Sequence, residues 1–194
     1  NRADVWQEYY SAYGQHVKQA TRRISNKSLS VAEIAQIREH LPEPYRTFVG
    51  VQFETAARVS ELTRIVGDDI RQGDKGRLKI SVRLKGGDTD TLTVATPEIV
   101  AELKAQIKGR DERVFPFTTT TLIVHLGDAS LLAIGIEITS HWVRHSRIMD
   151  IIRRSEGNVL KGKAIARHKR VETTMTYVRE YDAEKIIVDY PVGL

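Results

Sequence analysis

One stretch of this 194-residue chain alternates in strand fashion, and that stretch limits what the whole can fold into. Leu78 to Leu84 and Thr91 to Val94 read as two short strands joined across Lys85-Gly86-Gly87-Asp88, a hairpin with Lys85 at its tip. Apolar residues elsewhere recur at helical spacing between helix start and stop signals. Ser30-Val31-Ala32-Glu33 is a capping box, the Ser30 side chain and Glu33 each satisfying the other's end of a helix start. That helix continues through Ile34, Ile37 and Leu41 and stops before Pro42 and Pro44. A second, from Tyr45 to Thr55, is apolar enough to be buried, and the helix carrying Arg58 closes at Gly67. Thr96-Pro97-Glu98 starts another, reaching Ile107, and Thr118 to Ala133 is helical. The expected class is mainly α with a small antiparallel β-sheet, an α+β fold.

The first residues stand apart. Val5, Trp6, Tyr9, Tyr10, Tyr13 and Val17 make an aromatic stripe at helical spacing, read as packing against a neighbour. Lys18 to Ser28 is a basic, polar linker able to touch phosphates. The chain starts at Asn1 without an initiator Met, which suggests a fragment of something longer. Three parts are expected: 1–27, an N-terminal helix and basic linker; 28–182, the main domain; and 183–194, a tail. The tail holds Ile186, Ile187, Val188 and Tyr190, a short apolar end-piece.

With 41% hydrophobic and 28% charged residues, the chain has the make-up of an ordinary soluble domain. It contains no cysteine, so disulfides, thiolate catalysis and cysteine-based metal sites are excluded. No apolar run approaches the ~20 residues needed to cross a bilayer. A cytoplasmic place, on a nucleoid or in a host cytosol, is the default. The net charge of +5 and isoelectric point near 9.5 favour a polyanionic partner. Most telling is the run from 144 to 170: Arg144, Arg147, Arg153, Arg154, Lys161, Lys163, Arg167, Lys169 and Arg170 are opposed only by Asp150 and Glu156. Of these, Arg147, Lys161, Lys163, Arg167, Lys169 and Arg170 are the candidate contacts to DNA.

That run surrounds a segment rich in phosphate chemistry. After Thr139-Ser140, a helix N-cap, comes His141-Trp142-Val143-Arg144-His145, which sets His141, Arg144 and His145 on one helix face. His168 follows, and nine residues later Tyr177 ends Thr173-Thr174-Met175-Thr176-Tyr177. Imidazoles, a guanidinium and a phenol can bind a phosphodiester, stabilise its charge and attack it. A zinc-protease reading of the paired histidines fails, because Trp142 stands where that chemistry wants Glu. Far upstream, Arg58 enters an apolar segment with Glu61 three residues on, placed to hydrogen-bond and orient the guanidinium.

Taken in order, Arg58, Lys85, His141, Arg144, His168 and Tyr177 resemble the catalytic set of the tyrosine recombinase (phage integrase) family. The pieces that carry the likeness are A-R-V-S-E-L around Arg58, K-G-G at Lys85, H-W-V-R-H at His141 to His145, and R-H-K-R-V-E-T-T-M-T-Y ending at Tyr177; together they cover roughly Ser28 to Tyr181. The resemblance implies a site-specific recombinase or integrase that cleaves and rejoins DNA through a 3′-phosphotyrosyl intermediate. In it Tyr177 is the nucleophile, Arg58 and Arg144 clamp the phosphate, and Lys85 protonates the leaving 5′-oxygen. His141 serves as base toward Tyr177, His168 hydrogen-bonds the phosphate, and Glu61 holds Arg58. It also implies that 28–182 is the catalytic domain, that 1–27 is the remnant of a preceding DNA-binding domain, and that the tail 183–194 docks on a neighbouring protomer. Double-stranded DNA is the implied partner, with a tetramer on paired sites and no need of ATP, metal or other cofactor. The alternatives are a type IB topoisomerase-like enzyme or an inactive DNA-binding module. Ala56 and Arg167 depart from the pattern, standing where a glycine commonly precedes the arginine box and the histidine box.

Overall fold

The computed structural model describes residues 28–84 and 87–189. Lys85, the aromatic stripe of the first residues and everything after Asp189 lie outside the described residues. In order, the elements are α1 (Val31–Glu39), α2 (Tyr45–Thr55), α3 (Val59–Leu62), β1 (Ile70–Gln72), β2 (Leu78–Arg83), β3 (Thr89–Val94), α4 (Pro97–Gln106), α5 (Thr119–Ile134), α6 (Ser140–Arg154), α7 (Val159–Ala166) and α8 (Glu172–Asp189). The fold is therefore mainly helical with one small antiparallel sheet, ordered β1-β2-β3.

The helix starts follow the side chains that satisfy their free amides. Ser30 accepts from the Glu33 amide at 3.1 Å while Glu33 accepts from the Ser30 amide at 2.9 Å, completing the capping box. Thr118 accepts from the Thr121 amide at 3.1 Å, and Pro97 opens α4 after Thr96. The hairpin pairs β2 with β3 from Leu78↔Val94 to Arg83↔Thr89. Leu78, Ile80 and Val82 alternate inward on β2, with Leu92 and Val94 facing them from β3.

Two elements differ from expectation. The segment carrying Arg58 does not run as a helix to Gly67: α3 is a single turn, and Gly67 instead begins a 3-10 turn to Asp69. The chain leaves α2 through Ala56 in the left-handed region (φ 50°, ψ 33°) and passes Arg58 extended (φ −76°, ψ 149°), so Arg58 sits before the helix rather than on it. The second difference is β1, whose three residues are too few to show an alternating pattern.

α2 runs through the middle. Phe48, Val49 and Val51 are fully buried, with Phe115 edge-on to Phe48 at 5.1 Å between ring centroids. This main core takes in α1, the sheet, α4, α5 and the first turn of α6. A second, smaller cluster joins α6 to α7 and α8: Ala56, Ile148, Met149, Ile152, Ala166 and Tyr177. The bend at Ala56 thus lies where the two clusters meet. No helix among the described residues is long and apolar enough to cross a membrane.

Candidate active site

A cavity of about 600 Å³ opens at that meeting point. Arg58, His141, Arg144, His145, His168 and Tyr177 all line it, along with Gln52 and Thr176. Residues 58 and 144 come together because α2 ends in the bend at Ala56 while α6 packs alongside it. His168 follows the Arg167 cap of α7, and Tyr177 faces inward from the second turn of α8, 9% exposed.

The guanidinium groups are held by one connected network. Arg144, 5% exposed, donates to the Ala56 carbonyl and, at 2.6 Å, to the Ala166 carbonyl. The Ala56 carbonyl also accepts from Arg167 at 3.4 Å. Arg167 donates in turn to Glu61 at 2.7 Å, and the other oxygen of Glu61 accepts from Arg58 at 2.8 Å. The Arg58 backbone amide reaches the Arg167-bound oxygen of Glu61 at 2.8 Å. Arg58 keeps a side-chain exposure of 40% and opens onto the cavity, whereas Glu61 is 2% exposed beneath it. Three arginines share this network with one carboxylate, which leaves a surplus of positive charge, the condition for binding an anion.

That charge and the burial tune each titrating group. Burial works to raise Glu61, but the Arg58 hydrogen bonds and the charges of Arg167 and Arg58 outweigh it and hold the carboxyl below its ordinary value. Burial lowers Arg144 to about 10, helped by repulsion from Arg58 and Arg167, so it remains a cation at neutral pH. Burial also lowers His168 to about 4, with Arg144, Arg58 and Arg167 adding to the effect, so its imidazole is neutral at pH 7. Thr174, fully buried, lies 3.0 Å from His168 Nδ1 and fixes the ring. Burial raises the Tyr177 phenol above its ordinary value, only partly opposed by the charge of Arg144.

Five of the six residues expected in the catalytic set share this cavity; the sixth, Lys85, is outside the described residues. Glu61 stands under Arg58 as expected, but shared with Arg167. The rings described in contact with Tyr177 are His145 at 4.8 Å and His168 at 6.1 Å between centroids. His145 also lies 3.3 Å from Glu180, one turn beyond Tyr177, and so ties α8 to α6. Its spacing from His141 and Arg144 was the available signal for it, whereas nothing local marks Thr174 or Gln52.

The six expected DNA contacts divide. Lys161, Lys169 and Arg170 are exposed, with Lys169 3.5 Å from Asp88, and Lys163 is half-buried. Arg147 is half-buried, bound to Asp150 at 2.6 Å and stacked over Phe53 at 5.6 Å. Arg167, 11% exposed, points inward to Glu61.

The model of the phage integrase family matches residues 27–184. The fold is shared with solved recombinases, all distant in sequence. XerA recombinase is 22% identical with a TM-score of 0.66, the match covering 86% of this chain and 64% of that one. XerH bound to a palindromic difH substrate after cleavage is 15% identical with a TM-score of 0.67, covering 84% of this chain and 53% of that one. Lambda integrase, as a dimer on a COC′ core site, is 18% identical with a TM-score of 0.61, covering 78% and 47%. No curated protein matches the chain. The fold is that of a tyrosine recombinase catalytic domain. The chain belongs to the phage integrase family. It spans between about half and just under two thirds of those solved chains.

Proposed function

We propose that this chain cleaves and rejoins DNA strands as a site-specific recombinase or integrase, through a 3′-phosphotyrosyl intermediate. The observation that carries the reading is the convergence of Arg58 and Arg144 on one cavity with His168 and an inward-facing Tyr177. A cavity rich in guanidinium groups suits a phosphate, whose charge rises as a fifth oxygen approaches phosphorus. Tyr177 Oη bonds to the scissile phosphorus as the bond to the 5′-oxygen breaks. The phenol's proton passes to an imidazole, a role assigned to His141, which lines the cavity from the first turn of α6. His168, its ring held by Thr174, is assigned the hydrogen bond to the phosphate. Lys85 is assigned the proton for the departing 5′-oxygen. A 5′-hydroxyl from a second duplex reverses the step and exchanges strands.

Lys161, Lys163, Lys169 and Arg170 are assigned to the DNA backbone around the cavity. Residues 28–182 are the catalytic unit, and residues 183–194 are proposed to link protomers of a tetramer on paired sites. A cytosolic or nucleoid location is proposed, where a DNA partner is met.

The test is a nicked duplex whose cleaved fragment diffuses away. A covalent adduct should form and map by mass spectrometry to Tyr177, and Tyr177→Phe should form none. An adduct on Tyr181, or none from the wild-type chain, rejects the assignment. Exchange between paired sites, rather than relaxation of supercoils alone, separates a recombinase from a topoisomerase-like enzyme.

A further inference from the structure

Arg167 departs from the family pattern at a position where the backbone itself is unusual. It caps α7 in the left-handed region (φ 52°), a conformation that glycine adopts freely and an L side chain does not. A long cation held there has a substantial set of partners. Arg167 donates to the Thr55 carbonyl at 3.0 Å, the Ala56 carbonyl at 3.4 Å and Glu61 at 2.7 Å. Its Nε lies 3.7 Å from Asp90 on β3.

Each partner leads to a different part of the proposed machinery. Glu61 holds Arg58. The Ala56 carbonyl is the group that Arg144 also grips. Asp90 sits on the strand that follows Lys85 in the chain. His168 is the next residue. We propose that Arg167 is a positioning residue: one guanidinium that locks the carriers of Arg58, Arg144, His168 and the hairpin to one another, rather than a contact to DNA.

The bland alternative is a surface ion pair, which contributes little and is easily lost. Exposures of 11% for Arg167 and 2% for Glu61 argue against it. The DNA-contact alternative needs the guanidinium to face solvent, yet both of its terminal nitrogens are bonded inward.

This inference rests on the proposed function, and the experiment keeps the two apart. Single-turnover adduct formation is measured on saturating nicked duplex, beside the affinity and its salt dependence. Arg167→Gly, which suits the backbone but removes the guanidinium, should slow adduct formation about 10²-fold, the scale of a small misplacement of reacting groups. Affinity and salt slope should stay as in the wild-type chain. Arg167→Lys should not restore the rate, because an ammonium cannot bridge Thr55 and Glu61 as a planar fork does. In a Glu61→Gln background the Arg167→Gly change should add less than about threefold, since both act through one network. A role in stability alone would give additive losses that follow the melting temperature. If Arg167→Gly melts below the assay temperature, the same measurements on Arg167→Lys decide.

An unchanged rate with weaker binding, and a salt slope reduced by about 0.9, would make Arg167 a phosphate contact and overturn the inference. An unchanged rate with unchanged binding, or fully additive losses, overturns it as well. A wild-type chain that forms no adduct overturns the proposed function, and this inference with it.

Discussion

His168 reports on the electrostatics of the site better than any other residue. Its imidazole is pushed down to about 4 by burial and then by three arginine charges, so the neutral ring dominates in the folded chain at neutral pH. The folded value lies below that of the unfolded chain, so the unfolded chain binds the proton more readily. This contribution to stability is therefore complete above about pH 6.5, the ordinary histidine value, and is lost as pH falls from there toward 4. Unfolding midpoints should fall through that window, and His168→Gln, neutral at every pH, should flatten the decline. The arginine share of the shift is reversible. A phosphodiester in the cavity offsets the three positive charges, so the His168 titration followed by NMR should move upward when a nicked duplex binds. A histidine titrating near its ordinary value in the free chain, and unmoved by DNA, would remove Arg144 and Arg58 from its surroundings.

At the scale of elements, the site depends on how closely α7 can lie against α6 and α8. Gly162 permits that approach: a Cβ there would stand 2.9 Å from Ile152 and 3.1 Å from Thr174. Both neighbours are fully buried and cannot yield freely. Gly162→Val should cost about 1–3 kcal/mol of stability by overpacking. It should also slow cleavage beyond that loss, because α7 ends two residues before His168 and Thr174 fixes the His168 ring. Chemical denaturation and single-turnover cleavage, measured together, separate the two effects; a variant as stable and as fast as the wild-type chain would show that α7 packs differently. The same element shows what sequence can and cannot tell. Helix starts were legible because Ser30 and Thr118 cap with their own side chains and Pro97 opens α4. The turns that build the site were not, because Ala56 and Arg167 adopt left-handed backbone without the glycine that usually announces it. Only the likeness to a family with glycine at both places pointed there. The meeting of Arg58 with Arg144 is set by packing between distant segments, which no local pattern encodes. Nor does any local pattern separate Arg167, drawn inward by Glu61, from Lys169 and Arg170 beside it.

Across the whole molecule, the positive charge is less uniform than a net +5 implies. Much of the basic run is spent internally: Arg147 and Arg154 on Asp150, Arg167 on Glu61. Arg58 and Arg144 at the cavity, with exposed Lys161, Lys169 and Arg170 and half-buried Lys163, remain to meet a DNA backbone. Counterion release makes the number of such cations measurable, because each phosphate neutralised contributes about 0.9 to the slope of log affinity against log salt. About six contacts predict a slope of about −5.4, so affinity should fall about 10³-fold between about 50 and 200 mM salt. Lys169→Gln and Arg170→Gln should each reduce the slope by about 0.9, while Arg147→Gln, a change in a group already bound to Asp150, should leave it alone. Fluorescence anisotropy on a labelled duplex across that salt range checks all of these variants. Binding that is tight and indifferent to salt would mean that the footprint is not built on phosphates. In that case the exposed cations around the cavity would be solvating charge and nothing more.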